Sequence, residues 1–246
     1  MKIWLLFGCV FLLGCQTTSM LYNQAEIDSA AFNGVVITEE GLPLEGADII
    51  IDDLMQTKSD INGRFLFNAL IYGKHQICVS KVGYIESDFE FEYYFDIRNR
   101  TKFIKIKLLS INFLLEEALS FLRNKNYTEA DRVISMLELG CQEDSVIYIR
   151  AVYLNNTDKL EESATMLVDL VRRNRRNVIY KRTLIEVYHK MMWFRLEAEL
   201  SVELGLLDPI IYKQYLLRAA TIFSEVIKDE AAYNNTMRII EQQVED

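Results

Sequence analysis

The stretch Lys102-Phe-Ile-Lys-Ile-Lys-Leu108, followed after Leu109-Ser-Ile-Asn-Phe113 by Leu114-Leu-Glu-Glu-Ala-Leu-Ser-Phe-Leu-Arg-Asn-Lys-Asn-Tyr-Thr-Glu-Ala130, holds the change that decides the fold. Up to Leu108 the residues form the last of a series of short β-rich runs. Beyond Leu109 apolar residues fall at helical spacing, Leu, Glu, Lys, Arg and Ala are common, and glycine is nearly absent. Two modules of different class are therefore expected: a small antiparallel β-sandwich over residues 32–109, then an α-helical repeat over 111–246.

Downstream of the switch a period emerges. Anchor positions pair twelve residues apart, as Ala118 with Ala130, Ala151 with Ser163, Glu186 with Ala198, and Ala219 with Ala231. Their first members are 33, 35 and 33 residues apart. Small residues at such points let two helices of a hairpin approach closely, and Leu114, Phe121, Ile134 and Leu137 fill the space around them. With Asn124-Lys-Asn-Tyr127 and Asp158-Lys-Leu160 in the inter-helix turns and Pro209 closing a unit, the pattern resembles the tetratricopeptide repeat, in about four helix pairs. The third pair departs from it, with Glu186 in place of alanine and Met191-Met-Trp193 in the turn.

That resemblance implies a concave surface lined by the first helix of each pair. Projecting the period puts Leu115, Leu119 and Leu122 on it, then Tyr148, Val152 and Asn155, then Tyr180, Thr183 and Val187, then Leu216, Ala220 and Phe223. The candidate partner-binding residues are Tyr148, Val152, Asn155, Tyr180, Val187, Leu216 and Phe223. An apolar groove with tyrosines suits a peptide or helix partner. The other reading, that these residues pack against each other or on the β-module, stays open, and the Lys/Asn carboxylate clamp of chaperone-binding relatives is not evident.

Upstream, β-rich runs at Gly34–Ile37, Ala47–Ile51, Arg64–Phe67, Gln76–Val79, Asp88–Phe95 and Lys102–Leu108 alternate with turn signals at Glu40-Gly-Leu-Pro43, Asp60-Ile-Asn-Gly63 and Gly73. Asp60, Asn62 and Gly63 match the opening of a calcium loop, but its terminal glutamate is missing, so an Asx-turn is read there. In Asp88-Phe-Glu-Phe-Glu-Tyr-Tyr-Phe-Asp96 aromatic residues at 89, 91, 93 and 95 alternate with acids at 88, 90, 92 and 96. Period two sends the rings to one face of a strand and the carboxylates to the other. The order Gly34-Val-Val36, Gly41-Leu-Pro-Leu-Glu-Gly-Ala47, Thr57 to Phe65, Gly73 and Val79-Ser-Lys-Val-Gly-Tyr84 resembles the carboxypeptidase regulatory-like domain, which implies a prealbumin-like sandwich with no catalytic residues of its own. His75 stands where that family usually has an aromatic.

At the start of the chain, Lys2 precedes an apolar run from Ile3 to Leu13, then Gly14 and Cys15. This is the plan of a secretory signal, and eleven helical residues rise about 16 Å, well short of a bilayer core of about 30 Å. Leu12-Leu-Gly-Cys15 resembles the lipobox of bacterial lipoproteins. The resemblance implies a signal peptide over 1–14, diacylglycerol and acyl chains on Cys15, and a flexible tether over 15–31. Gln16 in place of aspartate favours the outer membrane. Cys78 and Cys141 lie in different modules, either paired or as separate thiols.

Composition narrows the function. With 27 basic against 36 acidic residues and a formal charge of −9, the chain repels polyanions, so nucleic acid is not an expected partner. The cluster Arg172-Arg-Asn-Arg-Arg176 reads as a helix end complementing its dipole. His75 and His189, the two histidines, sit in no zinc motif, and no GxSxG, Walker A, GxGxxG or CxxC pattern occurs. No catalysis, no metal and no cofactor are expected beyond the lipid on Cys15. The reading is a lipid-anchored scaffold or assembly protein of the bacterial cell envelope that binds another envelope protein or peptide through its repeat. The alternative is a carbohydrate-binding or polysaccharide-processing accessory, suggested by the sandwich and its aromatic strand.

Overall fold

The computed structural model describes residues 29–94, 103–208 and 211–242. Cys15 with its signal and most of its tether, Phe95, Asp96 and Pro209 lie outside the described residues. The structure divides between Ser110 and Ile111 into two compact units.

The first unit has seven strands: β1 (Ser29–Ile37), β2 (Asp48–Ile51), β3 (Met55–Lys58), β4 (Arg64–Ile71), β5 (Gly73–Ser80), β6 (Ser87–Tyr93) and β7 (Phe103–Lys107). They form a three-stranded sheet in the order β4-β1-β7 and a four-stranded sheet in the order β3-β2-β5-β6. One core lies between the sheets, where Phe32, Val36, Ile49, Ile51, Phe65, Ile77, Val79 and Ile106 are buried. Each such side chain contributes about 1.5–3 kcal/mol through burial.

Three features differ from the sequence expectation. β1 begins at Ser29, inside the segment expected as tether. The sandwich is not wholly antiparallel: β7 runs parallel to β1, from Asn33 opposite Phe103 to Ile37 opposite Lys107. β3 carries no run of apolar residues because Met-Gln-Thr-Lys is an edge strand, paired to β2 alone and exposed at Gln56 and Lys58.

Local chemistry fixes the turns. Asp60 Oδ1 accepts from the Asn62 and Arg64 N–H groups at 2.9 and 2.7 Å, the expected Asx-turn. The turn ends on Gly63 at φ +71°, where a Cβ would come within 2.3 Å of the Val36 carbonyl oxygen. In β6 the pleat acts as the alternation predicts. Phe89 and Phe91 pack on the core and Tyr93 is buried, its hydroxyl donating to the Ala31 carbonyl at 3.0 Å. Asp88, Glu90 and Glu92 are exposed.

His75 is held as a polar group rather than as an aromatic filler. Its Nδ1 lies 2.6 Å from Asp52 Oδ2 and its Nε2 2.7 Å from the Ile71 carbonyl oxygen. The ring is thus held between a carboxylate and a backbone carbonyl, both of them acceptors. Cys78 and Cys141 are free thiols. Burial, then its hydrogen bond to Glu86, pushes the Cys78 thiol up to about 11.

The second unit is a series of helix pairs: α1 (Ile111–Arg123) with α2 (Tyr127–Gly140), α3 (Asp144–Asn156) with α4 (Leu160–Arg173), α5 (Val178–Lys190) with α6 (Phe194–Gly205), and α7 (Lys213–Thr221) with α8 (Glu230–Glu241). α7 continues into a π-helical segment, Ile222–Ile227. Each hairpin turns through a left-handed residue, at Lys125, Asp158, Met192 and Lys228, with φ between 57° and 62°. In the first three pairs the next residue donates its N–H five residues back, from Asn126, Lys159 and Trp193 to the carbonyls of Phe121, Leu154 and Tyr188. These bonds satisfy carbonyls that the helix end leaves open. In the fourth pair Asp229 donates six residues back, to Phe223. The π-helical segment absorbs this extra residue.

The repeat is real but its period drifts. First helices start at 111, 144, 178 and 213, so successive intervals are 33, 34 and 35 residues. Ala118, Ala130, Ala151 and Ser163 are buried as expected, and Ser163 Oγ donates to the Ala151 carbonyl at 2.8 Å across the hairpin. Glu186 and Ala231 are exposed instead, because the fixed projection overshoots or undershoots there. Ile185 holds the third anchor in place of Glu186.

Candidate functional site

Of the four first helices expected to line a concave surface, two, α3 and α5 of the second and third pairs, line a cleft of about 320 Å³. It is lined by Tyr148, Val152, Asn155 and Asn156 from α3 and by Ile179, Arg182, Thr183 and Glu186 from α5. On each helix these residues recur at three- and four-residue steps, which places them on one face.

The cleft is held from within. Tyr148 OH and Thr183 Oγ1 share a hydrogen bond at 3.0 Å, linking the two helices across its floor. The Tyr148 and Tyr180 rings lie 5.1 Å apart, and burial followed by the nearby Asp144 carboxylate raises the Tyr180 hydroxyl above the ordinary tyrosine value. At the other end Lys190 Nζ donates to the Asn155 carbonyl at 3.1 Å and to its side-chain oxygen at 2.9 Å. That pair clamps the C-terminal turns of α3 and α5 together. Asn177, capping α5, accepts from the N–H groups of Ile179 and Tyr180 and fixes where the helix begins.

Of the seven candidate residues, Tyr148, Val152 and Asn155 line the cleft, and Tyr180 stacks beside it. The other three do not belong to a surface. Val187, Leu216 and Phe223 are 0%, 0% and 3% exposed and pack inside the unit. Leu216 is pressed against Gly205, where a Cβ would stand 2.4 Å from its Cγ. Leu122 and Ala220 are likewise buried. In α5 and α7 the drift of the period is the physical reason, a projection from the second pair landing one residue late in the third, on Val187 in place of Glu186; Leu122 is buried at the same helix position as Asn155. Ile179, Arg182 and Glu186 were missed for the same reason, although their own spacing marks one helix face.

Arg182 and Glu186 give the cleft one charge of each sign, one turn apart, and they form no ion pair with each other. Together with Asn156, Thr183 and Tyr148 they offer donors and acceptors to an extended backbone, while Val152 and Ile179 offer apolar contact. Nothing in the cleft pairs a nucleophile with a base. Among the described residues no group of His, Cys, Asp and Glu is placed to hold a metal ion, and no helix is long and apolar enough to cross a membrane.

Elsewhere, the basic cluster lies at the end of α4 and in the loop after it. Arg173 pairs with Asp144 and with Asp169, and Arg172, Arg175 and Arg176 are exposed. On the aromatic strand β6 the rings of Phe89 and Phe91 are partly buried against the core and that of Tyr93 is buried.

No protein-family model matches the chain, and no curated protein matches it. Among solved structures it is similar to 3-chlorocatechol 1,2-dioxygenase from Rhodococcus opacus, at 13% identity over 34% of this chain and 60% of that one, with a TM-score of 0.30. It is similar to BcpA, the major pilin subunit of Bacillus cereus, at 15% identity over 33% and 30%, TM-score 0.28. It is similar to MamA at 15% identity over 52% and 74%, TM-score 0.40. The chain thus spans less than two thirds of the dioxygenase and of the pilin. At these scores the likenesses are partial and lend nothing to function. The architecture, a mostly antiparallel β-sandwich followed by a helical repeat of the tetratricopeptide kind, rests on the elements themselves.

Proposed function

We propose that this chain is a lipid-anchored envelope protein that binds an extended segment of another envelope protein in the α3–α5 cleft and performs no chemistry of its own. The observation that carries the reading is the cleft: Tyr148, Val152, Thr183, Arg182 and Glu186 converge from two helices on one accessible groove with mixed polar and apolar lining. Such a lining is suited to recognition and lacks the paired groups that catalysis needs. The sandwich serves as a non-catalytic spacer of the carboxypeptidase regulatory-like kind, and the acyl chains on Cys15 hold the whole to the outer membrane. Anchoring raises the local concentration of the cleft for neighbours on the same membrane.

Affinity capture from detergent-solubilised envelopes tests it. The full chain should recover a defined protein that Tyr148→Ala with Arg182→Glu loses, by roughly tenfold or more if these residues act as central contacts. Tyr148→Ala also removes the bond to Thr183 and the ring contact with Tyr180, so Arg182→Glu alone, at an exposed position, is the control that should weaken capture with thermal unfolding nearly unchanged. Equal recovery by the wild-type and doubly substituted chains sinks the cleft as the binding site.

A further inference from the structure

The two outer faces of the sandwich carry opposite charge. On the three-stranded sheet, register places Arg64 and Lys105 on either side of Val35, and Leu66 and Phe103 on either side of Asn33. The inward partners Phe32, Gly34, Phe65 and Ile106 are buried, so this second set looks outward. Leu66 and Phe103 are 52% and 61% exposed beside a shallow depression of about 790 Å³. Neither Arg64 nor Lys105 is in an ion pair among the described residues. The carboxylate at the margin, Asp60, is occupied by its own turn.

The four-stranded sheet is the reverse. Its outer edge strand β6 presents Asp88, Glu90 and Glu92 at intervals of about 7 Å. Asp53 and Glu86 adjoin Asp88 in a smaller hollow with Asp52. Lys74, opposite Glu92, is the cation facing this strand, and Gln76 Nε2 donates to Asp88. Glu90 has no cation opposite it, since its register partner is Gln76.

We propose that copies of this chain associate head to tail through the first unit, the acidic face of one sandwich seated on the basic and apolar face of the next. A two-fold pairing of either face with itself would set like charges against each other, whereas acidic on basic is complementary. The contact is then heterologous, and an open assembly leaves one face of each kind unfilled, one at either end. Ion pairs at such a surface are individually weak, so association is driven by several together with Leu66 and Phe103, and it declines as salt screens them.

Two differently tagged copies of the full chain, in non-ionic detergent, provide the test. Wild-type copies should capture one another at low ionic strength and release at high. Arg64→Glu with Lys105→Glu on both copies, or Glu90→Lys with Glu92→Lys on both copies, should reduce capture roughly tenfold or more. Mixing one copy of each variant should restore it, because an acidic face then meets a basic one, and this recovery also shows that both variants fold. Absence of wild-type capture, capture that survives either charge reversal in both copies or strengthens with salt, or failure of the mixture to recover would each overturn the proposal.

Discussion

Glu197 stands three residues into α6, where the equivalent residues of α2 and α4 are Ala130 and Ser163. A carboxylate thus fills a slot built for a small side chain, and it is fully buried. Arg218 from α7 grips it through Nε at 2.6 Å, and His189 Nδ1 lies 3.1 Å from its other oxygen. Removing one partner of such a pair is asymmetric. Arg218→Ala leaves a buried carboxylate short of donors and should cost about 3 kcal/mol, whereas Glu197→Ala restores the small residue and frees a half-exposed arginine, at a cost of about 1 kcal/mol. Urea unfolding of both variants checks the order, and equal losses would mean that the acid is not held by the arginine. Asp52 gives a pH-dependent counterpart. Burial alone would raise its carboxyl, but the His75 ring and the Gln76 N–H outweigh that and hold it below the ordinary carboxylate range. Its contribution to stability is therefore present above the unfolded value and lost as pH falls through the lower folded value. Asp52→Asn should flatten the decline of thermal midpoint between about pH 5 and pH 2, where the unfolded reference near 3.9 is crossed. An unchanged slope would show that other carboxylates dominate.

At the level of elements, the four hairpin turns each pass through one left-handed residue, supplied by three residue types. None of Lys125, Asp158, Met192 and Lys228 is a glycine, although a left-handed residue with a Cβ costs roughly 1–2 kcal/mol. Met192 is 74% exposed and contributes little packing. Met192→Gly should therefore raise the unfolding free energy by about 0.5–1 kcal/mol, read as a shift in denaturant midpoint with the slope unchanged. This turn shows how far the sequence was legible. Met191-Met-Trp193 looked unlike the other turns because no residue there advertises positive φ, yet the backbone bond from Trp193 to Tyr188 is the same as in its neighbours. Helices and most strands were legible because burial imposes a period on side chains. The short edge strand β3 was not, since its four residues alternate only between half-buried and exposed and include a single apolar side chain, Met55. The cleft was legible in α3 and misplaced in α5, where a drift of one residue sets the core residue Val187 in place of the groove residue Glu186.

For the molecule as a whole, two units with separate cores on one chain make the proposed anchor a matter of place rather than of folding. Cys15→Ala should move the protein out of the membrane fraction while leaving its circular dichroism and thermal unfolding as they were. Loss of folded structure in that variant would tie the N-terminal segment to the fold instead. Class and order of the units were readable because a sandwich and a helical repeat write different periods. The direction of β7 was not, because a strand's own residues do not say which neighbour it joins after a long excursion through the other sheet. That direction has a mechanical meaning. β1 is the first strand of its unit and β7 the last, they lie side by side, and they point the same way. A pull on the chain before Ser29 and after Lys107 therefore draws the two strands in opposite directions along their shared ladder. The five residue pairs from Asn33 and Phe103 to Ile37 and Lys107 take the load together and must slide past one another at once. A hairpin pulled from its open end would instead lose its bonds in succession, like a zip. A protein held at one end and tugged by its partner at the other would thus meet the load in shear, the direction in which a β-ladder yields last.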